Sequence, residues 1–186
     1  MTAITKSPSR LMTIEEFEAM PEDGQKHELL WGELISVSPN FDHMAIVSRL
    51  VQELGVYVRI EKLGLAGPEG TFQFSTERPL VLVPDVAFVR TERIPPRTDR
   101  SGFIRVIPDL VIDVASPSET TPTLHAKANA YLDQGVSLVV IVHPDREEIR
   151  LWLPDRTARV LGPDDTLDFG DVVPGFTLPI ATLFED

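Results

Sequence analysis

The sequence predicts a mixed α/β (α+β) protein in which helices alternate with strands around a mixed β-sheet. Three patterns carry this prediction. Apolar residues recur at helical spacing over residues 41–62, they alternate over residues 27–37, and they form a nearly continuous run over residues 108–116. Because no repeat or linker separates these segments, residues 13–186 are predicted to form one domain that follows a flexible N-terminal tail at residues 1–12.

The first third of the chain predicts a short helix, a hairpin and a long helix, in that order. Thr13 followed by Glu16 has the form of a capping box, which places the short helix within LMTIEEFEAM. The segment HELLWGELISV alternates like a strand and can turn into a hairpin at Gly32. Beyond Asn40, apolar residues three and four positions apart predict a helix from about residue 41 to residue 62.

The remainder of the chain predicts strands with one further helix between them. TFQFS and PLVLVPDVAFV are typical of strands, and Pro84 marks the start of a new strand within the second run. The run PDLVIDVAS is typical of a strand buried on both faces. Thr121 and Pro122 predict the cap and first residue of a helix that Gly135 ends. The segments SLVVIVHP, EIRLWLP and ARVL predict more strands, and TLPIATLF predicts a short final helix.

Composition narrows the functional classes. Seventeen basic against 29 acidic side chains give a net charge of −12, which counts against simple nucleic-acid binding unless some of the acids hold a divalent metal. The chain has no cysteine, so it has no disulfide framework, no Cys-ligated zinc and no thiol nucleophile. It also has no apolar run near the ~20 residues of a membrane helix and no secretory signal pattern. We therefore expect a cytoplasmic protein that does not contact membranes.

Three carboxylates interrupt strand patterns on the side where apolar residues are expected. They are Glu33, Asp85 and Asp113. An ionised carboxylate is costly to bury unless it is paired, hydrogen-bonded or bound to a metal. Several such acids together favour one Mg²⁺ or Mn²⁺ ion, which takes oxygen ligands. Salt-bridged acids or acids on an edge strand remain the alternative explanation.

Three further side chains are candidates for the same site. Lys127 lies one step from the apolar stripe of the helix predicted after Asp113, with Tyr131 beside it at i+4. Its ammonium either reaches solvent or meets the carboxylates, where it could polarise a metal-bound water. His43, near the start of the long helix, either faces the site or makes a polar contact at the helix cap.

The order of these motifs resembles a bacterial family described as putative restriction endonucleases, whose members are similar to single-domain PD-(D/E)XK nucleases. The resemblance spans residues 13–184 and follows the ordered segments HELLWGELI, PDVAFV, PDLVIDVASPSE and the helix that carries Lys127 and Tyr131. It implies a restriction endonuclease-like fold, with a central mixed sheet flanked by helices. It also implies Mg²⁺-dependent cleavage of DNA phosphodiester bonds at acids that meet at one edge of the sheet.

The resemblance also implies a role for each residue that matches. Asp85 matches the acid of the PD motif, Asp113 the second acid and Glu33 an early glutamate, so these three would hold the metal. Lys127 would orient or activate the attacking water. The chain departs from the family pattern at Asp113, where Glu is usual, and at Ala115, which occupies the usual lysine position.

Alternatives to a DNA endonuclease remain open. A catalytically inactive nuclease-like module for protein interaction or DNA binding agrees with the acidic composition. A metal-dependent hydrolase of a small phosphate ester or nucleotide agrees with it as well. The loop that carries Arg93, Arg97 and Arg100 is either a DNA-docking surface or a solvated loop that balances nearby acids. A homodimer is implied by the resemblance alone, since restriction-type enzymes often pair two sites to cut two strands.

Overall fold

The computed structural model describes residues 10–37, 39–117 and 119–185. These residues contain four α-helices: α1 (Ile14–Glu18), α2 (Phe41–Ile60), α3 (Thr121–Asp133) and α4 (Ala181–Phe184). They contain twelve strands: β1 (Lys26–Leu30), β2 (Glu33–Val37), β3 (Gly64–Pro68), β4 (Phe72–Ser75), β5 (Leu80–Leu82), β6 (Val86–Arg90), β7 (Leu110–Val114), β8 (Leu138–His143), β9 (Glu148–Trp152), β10 (Ala158–Leu161), β11 (Thr166–Asp168) and β12 (Thr177–Pro179).

The strands form a large mixed sheet and a smaller antiparallel sheet. The large sheet has six strands in the order β10-β9-β8-β7-β6-β3. Its central pair, β7 and β8, is parallel and is connected by α3, whereas the other neighbours are antiparallel. The smaller sheet has the order β2-β1-β5-β4, and β11 pairs with β12. The predicted mixed sheet with helices between strands is confirmed.

The large sheet lies between two apolar layers. On one face, α2 buries a stripe of residues spaced by four, Ile46, Leu50, Leu54 and Val58, against β6, β7 and β8. On the other face, α3 packs with strands of the smaller sheet against alternate residues of β7 and β8. Strand β7 is therefore buried on both faces, as its apolar run predicts. Because side chains alternate along a strand, Asp113 shares the α3-facing side of β7 with Val111.

Local signals place the helix ends close to the predicted positions. The Thr13 and Glu16 capping box is present at α1. Helix α3 is capped by Thr120, one residue earlier than predicted, and Pro122 lies in its first turn. Gly135 follows α3 with φ of +93°, a conformation that glycine adopts without strain. Among the described residues, no helix has both the length and the apolar character needed to cross a membrane.

Strand β3 is an element that the sequence pattern does not reveal. It has no apolar alternation, and only its pairing with β6 makes it an edge strand of the large sheet. A side chain at Gly64 would bring its Cβ within 2.1 Å of the Val89 carbonyl oxygen. Glycine therefore permits the close backbone approach that joins β3 to the sheet. Of the predicted tail, residues 1–9 lie outside the described residues, and the Met12 N–H donates to the Gly32 carbonyl.

Candidate functional site

Asp85 and Asp113 come together at one end of the central strands. Asp85 directly precedes β6, and Asp113 is the fourth residue of the neighbouring strand β7. The Asp85 backbone N–H donates to Asp113 Oδ1 at 3.3 Å, so the two residues are in direct contact. Both side chains are buried, at 4% and 3% exposed. The predicted pairing of these two acids is therefore present in the structure.

Asp85 is held by the side chains of Lys26 and His43 and by one backbone amide. Lys26 Nζ lies 2.5 Å from Oδ1, His43 Nε2 lies 3.0 Å from Oδ2, and the Val114 N–H donates to Oδ2 at 2.8 Å. Burial raises the pKa of Asp85, but the His43 hydrogen bond and the Lys26 charge outweigh it and lower that pKa to about 2. Because an ionised carboxylate only accepts hydrogen bonds, His43 Nε2 must be the donor.

Lys127 is the centre of a second, deeper cluster. Its Nζ lies 2.9 Å from Glu28 Oε2, 3.1 Å from Asp113 Oδ2 and 3.6 Å from Glu119 Oε1. Burial lowers the pKa of Lys127, but these three carboxylates outweigh it and raise that pKa well above its usual value. The Lys127 ammonium therefore stays charged although the residue is only 3% exposed.

Asp113 joins the two clusters, and its pKa is shifted in the opposite direction from that of Asp85. Burial is the largest influence on this carboxyl and raises its pKa to about 6, against the lowering effect of Lys127. The negative charges of Asp85 and Glu28 raise the Asp113 pKa further. The carboxyl groups of two residues in contact thus have pKa values pushed in opposite directions, an arrangement that is common at catalytic sites.

The raised pKa of Asp113 predicts how stability depends on pH. Its native pKa lies above the unfolded value of 3.8, so its stabilising contribution is full below pH 4 and is lost as pH rises through 6. An asparagine side chain mimics the neutral acid, so Asp113→Asn should match the wild type near pH 4. It should become more stable than the wild type by up to about 3 kcal/mol at pH 7. Urea denaturation of metal-free protein measures this difference, and Asp145→Asn, at an exposed position, provides the control. Equal stabilities at pH 7 would contradict the assignment.

Tyr131, an accessory candidate from the sequence, is buried beside this cluster. Its side chain is fully buried, and its hydroxyl has no hydrogen-bond partner among the described residues. Burial raises the pKa of Tyr131 well above its usual value, and the charges of Asp113 and Glu28 raise it further. The hydroxyl therefore remains protonated and is a hydrogen-bond donor facing a group of carboxylates.

Glu28 lies beside Lys127 and Glu33 does not, so the predicted placement of Glu33 among the buried acids is wrong. Trp31 and Gly32 form a tight turn with φ of +55° and +86°, so Leu30 pairs with Glu33 across the hairpin. This turn reverses the alternation that a continuous strand would have. Glu33 is exposed at the turn end of the hairpin, whereas Glu28 is fully buried against Lys127. The Val83 N–H also donates to Glu28 Oε1 at 2.9 Å.

The arginines proposed for DNA contact lie in the loop after β6. Arg93 Nη1 donates to the buried carboxylate of Asp109 at 2.7 Å, which is an ion pair within the fold. Arg97 and Arg100 are exposed, and Arg100 Nε donates to the Pro95 carbonyl at 2.9 Å. The structure therefore leaves Arg97 and Arg100 accessible to a ligand, whereas Arg93 is committed to Asp109.

A cavity of about 1180 Å³ opens beside Asp85. Lys26, His43 and Asp85 line it, and one side is formed by α2. Its wall also carries four further acids, Glu18, Glu22, Asp23 and Glu69. In the described part of the chain, Asp113 and Lys127 do not line this cavity, because both are buried deeper in the fold than Asp85 is relative to the cavity. A ligand in the cavity would meet Asp85, Lys26 and His43 first.

Sequence reasoning missed three residues of the site: Lys26, Glu28 and Glu119. Lys26 and Glu28 share one face of β1. Lys26 contacts Asp85 and Glu28 contacts Lys127, and both partners come from distant parts of the chain. Glu119 is adjacent to α3, and its Oε2 accepts the Ser116 N–H at 3.0 Å. The position of Glu28 between strand residues of the hairpin is a sequence feature that could have indicated its place in the site. No local pattern marks Lys26, because its role depends on how the two sheets pack.

The donor set of the site consists of carboxylate oxygens, the ligands that Mg²⁺ and Mn²⁺ prefer. Glu28, Asp85, Asp113 and Glu119 are paired with the ammonium groups of Lys26 and Lys127, and Asp85 is also paired with His43. Within the described ranges, no three His, Asp or Glu side chains are arranged around one point as metal ligands. The two contacting aspartates alone could supply the one or two carboxylates that Mg²⁺ commonly takes.

Comparison with known proteins identifies the family. The family model described as "Putative restriction endonuclease" (Uma2) matches residues 14–181. No curated protein matches the chain. The crystal structure of a putative nuclease from Anabaena variabilis is similar, with a TM-score of 0.81 and 24% identity over 93% of this chain and 97% of that chain. At that identity, the likeness shows a shared fold. Because the family model covers most of the chain and confirms the resemblance seen in the motifs, the chain belongs to the Uma2 family of putative restriction endonucleases.

Proposed function

We propose that this protein is a metal-dependent endonuclease that hydrolyses DNA phosphodiester bonds. The observation that carries the proposal is the contact between Asp85 and Asp113 beside a large cavity. The two carboxyl groups have pKa values shifted in opposite directions. Such a pair beside a cavity supports a functional site, because keeping like charges together inside a protein is unfavourable for stability.

Mg²⁺ or Mn²⁺ fits the charge of this site. Glu28, Asp85, Asp113 and Glu119 exceed the ammonium groups of Lys26 and Lys127 by two formal negative charges, which a divalent cation would offset. Asp85 and Asp113 would hold the ion, and Glu28 takes the supporting role that the motif order suggested for Glu33. When bound, the ion would supply Lewis-acid stabilisation of the phosphate charge and lower the pKa of a coordinated water.

The protein's own groups have separate roles in this proposal. Lys26 and His43 line the cavity and are the donors that a substrate phosphate would meet. They also keep Asp85 ionised and fixed in orientation. Lys127 lies deeper and fixes Glu28 and Asp113, so that a water between these carboxylates would be oriented by its ammonium. The Tyr131 hydroxyl, buried beside these carboxylates without a partner among the described residues, would be a further donor to a ligand bound there.

A small phosphate ester or nucleotide is the second candidate substrate. The acids on the cavity wall favour it, because a DNA backbone passing Glu18, Glu22 and Glu69 would be repelled. A small ligand with its charge offset by the metal would avoid most of that repulsion. Hydrolysis of mononucleotides without cleavage of any DNA would favour this candidate over an endonuclease.

The test combines metal titration with DNA cleavage. Calorimetry of Mg²⁺ and Mn²⁺ binding and plasmid nicking are measured on the same samples of wild type and an Asp85→Asn, Asp113→Asn double variant. We expect the wild type to bind metal and nick plasmid, and we expect the double variant to do neither. A matched control replaces two exposed acids, Asp145→Asn and Asp164→Asn, and should behave as the wild type. Absence of metal binding in the wild type would contradict the proposal and favour an inactive nuclease-like module.

A further inference from the structure

A second cavity, of about 330 Å³, adjoins the cavity beside Asp85. Pro68 and Phe103 line both cavities and form the wall between them. Ala87 and Val89, two and four residues beyond Asp85 along the chain, line the second cavity. At about 3.3 Å per strand residue, these positions are roughly 7 and 13 Å from Asp85. The two cavities therefore form one continuous surface that starts at the proposed catalytic acid.

The second cavity differs from the first in chemistry. Its walls are mainly apolar and include Leu65, Phe72, Ile94, Pro95, Ile104 and Val106. Two exposed arginines, Arg100 and Arg105, lie at its edge with one acid, Asp99. Arg100 Nε donates to the Pro95 carbonyl, and Arg105 Nε donates to Gln73 Oε1. No described residue accepts a hydrogen bond from the terminal NH₂ groups of either arginine. An apolar chamber with arginines at its edge suits a flat apolar ring that is attached to a phosphate.

We propose that this cavity takes an unstacked base of the DNA strand, a few nucleotides from the phosphodiester held at Asp85. The inference rests on the proposed function and names its substrate class. The ~3.4 Å rise per nucleotide of a duplex strand sets an upper limit of about two to four nucleotides between the cavity and Asp85, because an unstacked strand is more extended. A base that stays stacked in a duplex cannot enter such a chamber. The substrates are therefore single-stranded, bulged or frayed DNA, including locally unpaired segments of a supercoiled plasmid.

The half-buried ring of Phe103 stands between the two cavities and offers a surface for stacking. Arg100 and Arg105 would bind the phosphates on either side of the inserted base. This arrangement also relieves the conflict between DNA and the acidic wall of the first cavity. A flexible single strand can follow the arginines and present one phosphate to Asp85, whereas a rigid duplex would have to pass the acids.

Gly67 provides a variant that fills the second cavity with little risk to folding. It lines the cavity in strand β3, and a Cβ added there meets no atom within 4 Å. Gly162 is a matched control, because it follows β10 at the opposite edge of the same sheet and an added Cβ also meets no atom. The variants Gly67→Leu and Gly162→Leu therefore differ mainly in whether the new side chain enters the cavity. Thermal unfolding of both variants shows whether either change has disturbed the fold.

The test measures binding without cleavage, in metal-free buffer, by the fluorescence of 2-aminopurine placed within a short single strand. We expect the wild type to bind this strand at least about 10-fold more tightly than the matching duplex, which is within the range of one stacked base. Gly67→Leu should lose that preference, whereas Gly162→Leu should keep it. An Arg100→Ala, Arg105→Ala variant should bind the strand more weakly and depend less on salt. Equal binding of strand and duplex, or unchanged binding by Gly67→Leu, would overturn the inference.

Binding and cleavage results separate this inference from the proposed function. In one outcome, the protein prefers single strands, Gly67→Leu abolishes this preference, and no DNA is nicked with any metal. This outcome would support the base-binding cavity and contradict the endonuclease. Nicking of duplex plasmid with no effect of Gly67→Leu on binding would support the endonuclease and overturn the cavity assignment.

Discussion

Replacing Lys127 with methionine is expected to lower the free energy of unfolding by about 3–5 kcal/mol, the usual cost of removing one partner from a buried ion pair. Methionine has a similar length but carries no charge. The variant would leave Glu28, Asp113 and Glu119 facing one another without the ammonium that lies within 3.6 Å of each. All three carboxylates are buried or partly buried, so water cannot replace that charge fully.

Urea denaturation at pH 7.5 measures the effect of Lys127→Met, with Lys62→Met as the control. Lys62 is exposed just beyond α2, and its replacement should change the free energy of unfolding by less than about 0.5 kcal/mol. Lys127→Arg keeps the charge but has a bulkier head, so it should fall between the two variants. A loss below about 1 kcal/mol for Lys127→Met would show that the carboxylates do not depend on this ammonium.

The second large effect is expected from Glu28→Gln, which should lower the nicking rate by about 100-fold to 1000-fold. Glutamine keeps an oxygen that can accept the Val83 N–H, so the local fold should persist. It removes the negative charge that faces Lys127 at 2.9 Å. The Lys127 ammonium would then pair more strongly with Asp113, and the site would have one negative charge fewer to bind a divalent ion.

Glu33→Gln is the matched control for that variant. Both glutamates belong to the same hairpin, but Glu33 is exposed, so its replacement should leave nicking within twofold of the wild type. Initial nicking rates at saturating Mg²⁺ and thermal midpoints of both variants complete the comparison. If Glu33→Gln lost activity and Glu28→Gln did not, the assignment of the early glutamate from the structure would be wrong.

The elements that the sequence predicted well are those with strong local signals. Helix α2 has a sustained apolar stripe, and the Thr13 and Glu16 pair is a complete capping box in the structure. Strand β7 has an unbroken apolar run because a sheet strand covered on both faces needs one. Strand β3 was missed because its glycines have no pattern of their own, and only the pairing with β6 defines it.

The residues of the site also divide into those that the sequence marks and those that it does not. Asp85 and Asp113 interrupt apolar patterns, and the sequence alone could mark them since a charge inside such a pattern requires a partner. Lys127 lies one step from the apolar stripe of its helix, so the sequence left both solvent and the carboxylates open to its ammonium. The structure brings them together as that argument requires. The placement of Glu33 failed at one detail, the two-residue turn at Trp31 and Gly32, because it leaves Glu33 at the exposed end of the hairpin. Glu28 lies on the same face but further from the turn, where it meets Lys127.

By itself, the sequence determined the family, the mixed sheet between helices and which acids interrupt the central strands. These features can be seen in short stretches of sequence, because apolar periodicity and a charge inside an apolar run involve neighbouring residues. Only the tertiary structure decided which partners those acids have. Lys26 reaches Asp85 from 59 positions away, and Glu28 meets Lys127 where the smaller sheet packs on α3. Such contacts depend on how separate elements pack, and side-chain periodicity within one element does not contain that information.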